Sequence, residues 1–164
     1  MENKIIFRLA KPSDAPEIYN IVLNTPGIDN NSLYFYTIWL KEFSASNVVA
    51  TRNDKIVAFL TAFRKPSDSR TLFLWQLAAV PRHGIADLGY KLSEFLIELE
   101  LKNTKLKCIE ATIDIDNQSI FYVLKKITNK YNGKLTKHEF LSQEYLSSNT
   151  ETHHEETLIK VDIN

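Results

Sequence analysis

The residues best placed to do chemistry lie between Thr71 and Leu99. Thr71 to Val80 is an apolar stretch of strand length that ends at Pro81. The loop that follows, Arg82-His83-Gly84-Ile85-Ala86-Asp87-Leu88-Gly89, carries two glycines and basic side chains. Tyr90 to Leu99 then opens with apolar residues at helical spacing. Strand, glycine-bearing loop and helix N-terminus in that order make an anion site. The first helical turn offers unpaired N–H donors at the positive end of the dipole. Trp75, inside the strand, reads either as core or as the wall of a ligand cleft.

The elements that must position this segment follow from periodicity and breakers. Ile5 to Leu9 is a short strand. Lys11 to Glu17 starts a helix, with Ser13 or Asp14 to cap it, Pro16 in its first turn and Ile18, Ile21 and Val22 as its buried face. Asn24-Thr25-Pro26-Gly27 stops it. Asp29-Asn30-Asn31-Ser32 can cap an aromatic-rich helix over 33–43, and position alone makes Asp29 and Asn31 candidate caps. Residues 47–51 and 55–63 pair as a hairpin. A polar loop over 65–70 leads to the strand at 71–80, and a helix covers 90–102. A strand over 106–113, a helix over 119–130, an irregular polar segment over 140–153 and a strand over 158–163 complete the chain. The alternation predicts one domain, 1–164, of the α/β (α+β) class.

Composition narrows the classes. At 164 residues, 44% hydrophobic and 24% charged, the chain is long enough to bury a sizeable core. Twenty basic residues balance twenty acidic ones, which argues against a sequence-independent grip on nucleic acid. The single cysteine, Cys108, has no internal disulfide partner and no metal pattern around it, and it reads as a buried strand thiol. No stretch has the apolar length of a membrane span, and the polar start is no signal peptide; a cytoplasmic protein is expected.

The element order is also that of the GNAT N-acetyltransferases, and four motifs narrow the resemblance. They are Ile28-Asp29-x-Asn31-Ser32-x-Tyr34-x-Tyr36; Pro66 with Asp68 and Thr71-Leu72-Phe73-x-Trp75-Gln76; Glu110-x-Thr112 leading to Asp116-Asn117; and His153-x-x-Glu156-x-Leu158. Over nearly its whole length the chain resembles the L-2,4-diaminobutyrate acetyltransferases of ectoine biosynthesis. The first and last motifs are the more specific, because GNAT members in general do not share them.

The resemblance implies an acyl-CoA N-acyltransferase fold, a mixed central sheet flanked by helices. It implies acetyl-CoA as cosubstrate beside the strand at 74–80, a small diamino acid as acceptor, no metal and a homodimer. It places Asp29, Trp75, His153 and Glu156 in the diaminobutyrate pocket, with Asn31 as a further polar contact. Contacts to the cofactor are expected from Leu77, Ala78, Ala79, Arg82, His83, Gly84, Gly89 and Asn117.

Transfer to an amine needs a neutral nitrogen, whereas a free alkyl ammonium has a pKa near roughly 10. The site must remove a proton, directly or through water, and stabilise a tetrahedral oxyanion, typically with a strand N–H. Glu110 and Tyr36 are the candidate catalytic side chains. Many GNAT enzymes carry a tyrosine seven residues after the asparagine that opens the late helix; counted from Asn117, that position is Leu124. The donor to the leaving thiolate stays open among Tyr34, Tyr36 and water.

The phosphate loop departs from the family pattern Arg/Gln-x-x-Gly-x-Gly/Ala. Aligned on Gly89, the leading basic position holds Gly84 and the inner glycine has become Asp87. A carboxylate 4 Å from a phosphate charge costs about 1 kcal/mol in water and about 4 kcal/mol at an effective dielectric of 20. Three readings follow: an active diaminobutyrate-type enzyme, a GNAT-fold enzyme for another acyl-CoA or amine, or a non-catalytic binding protein.

Overall fold

In the computed structural model, residues 4–114 and 118–164 are described. The longest buried run among the described residues, Ile56 to Ala62, is buried at every position rather than at alternate ones. A strand of that kind needs cover on both faces, and helices supply it.

The elements in chain order are β1 (Ile5–Leu9), α1 (Ala15–Leu23), α2 (Leu33–Glu42), β2 (Val48–Arg52), β3 (Lys55–Lys65), β4 (Asp68–Ala79), α3 (Leu88–Asn103), β5 (Cys108–Ile113), α4 (Ser119–Lys130), β6 (Lys134–Leu141), α5 (Gln143–Leu146) and β7 (Glu156–Asp162). Seven strands form one sheet in the order β1-β2-β3-β4-β5-β7-β6, antiparallel throughout except for the parallel β4–β5 pair. This is the mixed sheet with flanking helices that the sequence implied.

Two apolar layers sandwich the sheet. Val48, Leu60, Leu72 and Leu74 pack with Leu92 and Leu96 of α3 and Leu124 and Ile127 of α4. On the opposite face Val49, Phe59 and Ala78 pack with Ile18, Ile21 and Val22 of α1 and with Tyr36 and Leu40 of α2. Cys108 is buried and unpaired, and burial pushes its thiol up to about 11.

Three sequence expectations change. The polar stretch 65–70 is no loop: β3 and β4 run through it and leave only Pro66-Ser67 between them. β6 was not expected, and a short helix interrupts the supposedly irregular 140–153. Within the expected capping segment Asp29 to Ser32, neither Asp29 nor Asn31 caps α2. That role falls to Ser32, whose Oγ accepts the Phe35 amide at 3.1 Å, which leaves the residues before it to face the cleft.

Candidate active site

The site begins where β4 and β5 stop pairing. Their ladder joins Thr71, Phe73 and the residue between them to Cys108, Glu110 and the residue between those, while β4 continues to Ala79 and β5 to Ile113. Between the two strands lies a cavity of about 50 Å³ walled by Leu74, Gln76 and Leu77 from β4, Thr112 from β5 and Ser119 and Ile120 from α4.

A bulge sits at the same level. Thr61 pairs with Gln76 and Ala62 with Leu74, so Trp75 has no partner on β3. The Ala62 amide bonds the buried Asn47 Oδ1 instead, at 3.1 Å. One extra residue in a strand turns consecutive side chains to one face. Trp75 and Gln76 both reach α2: Trp75 stacks on Trp39 with centroids 4.5 Å apart, and Gln76 accepts a hydrogen bond from Tyr36.

Trp75 also walls a larger cleft of about 1250 Å³, which Asp29, Asn31, Lys65, Glu110, Thr112, His153 and Glu156 line as well. One end is acidic. His153 Nε2 lies 3.4 Å from Asp29 Oδ2 and 3.9 Å from Glu156 Oε1. The His153 Nδ1 donates to the carbonyl of His154 at 2.7 Å, which aims Nε2 at the two carboxylates. That bond raises the histidine pKa, burial opposes it, and Asp29, Glu156 and Asp114 raise it further. Burial pushes the Glu156 carboxyl up; a hydrogen bond from Thr112 lowers it, and Asp114 raises it again. Ligand atoms of Asp114, His153 and Glu156 lie within 4.8 Å of one another, a donor set suited to a cation, whether an ammonium group or a metal ion. Asp114 is the residue that the sequence reading missed, because it belongs to none of the four motifs.

Of the two candidate catalytic side chains, Glu110 lines the cleft and Tyr36 stands behind its wall. Tyr36 is fully buried, with its hydroxyl committed to Gln76 Oε1 at 2.9 Å, and Gln76 Nε2 donates to the backbone carbonyl of Asp29 at 2.9 Å. Burial raises the phenol pKa. Tyr36 therefore holds the cleft wall and the Asp29 loop, and does not stand in the cleft. Glu110 does line the cleft, but it is 2% exposed and engaged by Lys65 Nζ at 2.8 Å and Lys160 Nζ at 3.7 Å.

At the other end of β4, Leu77, Ala78, Ala79 and Gly89 line a groove of about 260 Å³ together with Asp87, Tyr90 and Tyr122. Gly89 belongs there by size: a Cβ on it would come within 3.2 Å of Leu77 Cδ2. Arg82 and Gly84 take left-handed backbone in the loop beside the groove, and Arg52 donates to the His83 carbonyl at 2.9 Å. Asn117 lies outside the described residues.

No protein-family model matches the chain. Its fold is that of the GNAT acetyltransferases: a GNAT-family acetyltransferase from Streptococcus pneumoniae superposes with a TM-score of 0.69 at 19% identity, over 98% of this chain and all of that one. The diaminobutyrate acetyltransferase EctA from Paenibacillus lautus, solved with its substrate L-2,4-diaminobutyric acid and coenzyme A, superposes with a TM-score of 0.91 at 22% identity, covering 99% of this chain and 96% of its own. In sequence, the L-2,4-diaminobutyric acid acetyltransferase of Vibrio parahaemolyticus is 32% identical over 124 residues, 76% of this chain and 68% of its own. That of Marinococcus halophilus is 28% identical over 159 residues, 97% of this chain and 90% of its own. The chain belongs to the L-2,4-diaminobutyric acid acetyltransferase family.

Proposed function

We propose that this chain transfers the acetyl group of acetyl-CoA to the 4-amino nitrogen of L-2,4-diaminobutyrate, the transfer of ectoine biosynthesis. One juxtaposition carries the reading. Ile28, Trp75 and Thr112 wall both the small cavity between β4 and β5 and the acidic cleft. An acyl group arriving along β4 thus meets an amine held by Asp29, His153 and Glu156 across a shared wall. Family membership and the likeness to the Paenibacillus lautus enzyme support the same reading.

In this reading the pantetheine arm pairs with the free backbone edge of Leu77-Ala78-Ala79, and the pyrophosphate lies toward Gly89 and the α3 N-terminus. Arg82, His83 and Gly84 serve that end. The acidic cluster binds the substrate's ammonium groups, and Asn31 is a polar contact beside it. Glu156, whose carboxyl takes up a proton more readily than usual, receives the proton from the reacting amine, directly or through water. The neutral nitrogen attacks the thioester carbonyl. The oxyanion meets a backbone N–H of the β4 bulge, and as it collapses the C–S bond breaks. The nitrogen's second excess proton passes to the leaving sulfur, directly or through water, giving the neutral amide and the free thiol. Glu110 acts through Lys65, which it holds at the cleft wall as a counter-charge for the substrate carboxylate. Tyr36 acts by position.

We place the reaction in the cytoplasm, consistent with a lone buried thiol. We place it in a homodimer, consistent with exposed Leu33, Tyr34 and Ile38 along α2, and light scattering at micromolar concentration reads that state. The test of activity is calorimetric titration with acetyl-CoA followed by thiol release on a diamine panel. Binding with turnover on diaminobutyrate supports the reading. Binding without turnover on any diamine leaves a fold that has lost or changed its acceptor.

A further inference from the structure

Against the GNAT loop pattern, Gly84 stands at the position of the leading basic residue and Asp87 at that of the inner glycine, so the loop by itself presents a carboxylate to the groove. The backbone explains how an aspartate fits: Asp87 has φ 55°, a left-handed conformation that aspartate tolerates better than most side chains. It stands at the N-cap of α3, yet its side chain makes no capping hydrogen bond.

What it makes instead is an ion pair with another element. Lys126 Nζ, on α4, lies 2.8 Å from Asp87 Oδ2. The same ammonium sits 5.2 Å from the ring centroids of both Tyr90 and Tyr122. Asp87, Tyr90 and Tyr122 all line the groove at the end of β4. Lys126 is thus held from three sides by groove-wall residues, and Tyr122 lies one helical turn before it.

We infer that Lys126 is a cofactor-positioning residue, which neutralises Asp87 from α4 and so removes the negative charge that the loop would otherwise turn toward a phosphate. The inference rests on the acetyl-CoA reading above. With Lys126 in place, a phosphate entering the groove meets a neutral pair and the positive end of α3. Without it, the phosphate meets an uncompensated carboxylate.

The test is calorimetric titration of acetyl-CoA into wild-type protein, Lys126→Ala, Lys126→Arg, Asp87→Asn and the double variant Lys126→Ala/Asp87→Asn, with KM and kcat measured alongside. Lys126→Ala is expected to weaken binding about tenfold and to raise the acetyl-CoA KM while kcat holds. Lys126→Arg should keep most of the affinity, and Asp87→Asn should remove most of the penalty for losing Lys126. Unchanged affinity in Lys126→Ala overturns the inference. So does a loss from Lys126→Ala that is equally large with Asp87 present and with Asp87→Asn, which would mean that Lys126 acts independently of the carboxylate. Failure of the wild-type protein to bind acetyl-CoA is a separate result and overturns the cofactor reading itself.

Discussion

Tyr36 donates its hydroxyl hydrogen to Gln76 Oε1 at 2.9 Å, across 40 residues of sequence and inside a fully buried environment. Removing that hydroxyl leaves the amide oxygen of Gln76 without its partner. Tyr36→Phe is expected to cost about 1–2 kcal/mol in denaturant unfolding and to raise the diamine KM modestly through the Asp29 loop that Gln76 holds. Its kcat should stay within about tenfold of wild type. A loss of several hundredfold in kcat would return Tyr36 to the role of proton donor.

Glu156 sets a pH limit on substrate binding. Its carboxyl pKa is raised, chiefly by burial, so on acidification it takes up its proton at higher pH than an ordinary glutamate. Amine affinity therefore declines as pH falls through the raised value. Glu156→Gln should raise the diamine KM by more than about tenfold, flatten that acid limb and leave acetyl-CoA binding alone. Equal damage to both affinities would place Glu156 outside the amine pocket.

His153 carries a signature in stability. Its pKa lies above the ordinary 6.5, first because Nδ1 donates to the His154 carbonyl. The protonated ring thus adds stability that is fully present below pH 6.5 and is lost as pH rises through the raised value. Thermal unfolding of wild type and His153→Gln should differ at acidic pH and converge at alkaline pH. A constant difference would assign the ring to packing.

Gly89→Ala reports on the groove. The added methyl meets the flexible end of Leu77 at 3.2 Å, so Leu77 must shift, and Leu77 lines the proposed cofactor path. Helix propensity offsets part of the strain, by about 1 kcal/mol. The acetyl-CoA KM should rise severalfold with a stability change under about 1 kcal/mol. An unchanged KM would move the cofactor away from Leu77.

Glu100 is the control. It is 1% exposed, accepts from Arg64 Nε at 2.8 Å and Ser46 Oγ at 3.3 Å, and does not line the cleft. Glu100→Ala should destabilise by about 2 kcal/mol, below the range for fully buried pairs because Arg64 is partly solvated, with kinetic constants unchanged.

The sequence made the sheet legible where side chains face a core. The runs 47–51, 55–63 and 71–80 carry the apolar residues that two helical layers bury, and they read as strands. β6 was missed because it is an edge strand with little buried surface: Lys134, His138 and Glu139 lie exposed on it, so no apolar alternation marks it. Asp29, Trp75, His153 and Glu156 were found through motif resemblance and do converge on one cleft. The bulge at Trp75, the ammonium of Lys126 beside Asp87 and the addition of Asp114 to the acidic cluster all depend on partners distant in sequence. Register and pairing between elements decide them, and local periodicity carries no record of either.

The early end of the β4–β5 ladder gives the molecule a seam through its middle. Beyond Phe73 and Glu110 the facing backbone groups lack the pairing that closes the rest of the sheet. The empty protein should breathe there first, with fast hydrogen exchange at seam-facing amides of residues 74–79 while the β3 side of the same strand stays protected. A cofactor arm seated in the seam closes it as an added strand would. At a concentration one hundred times its Kd, such a ligand raises global stability by about 2.7 kcal/mol. Ligand binding and sheet completion are then one event, and the slowing of those amides measures both.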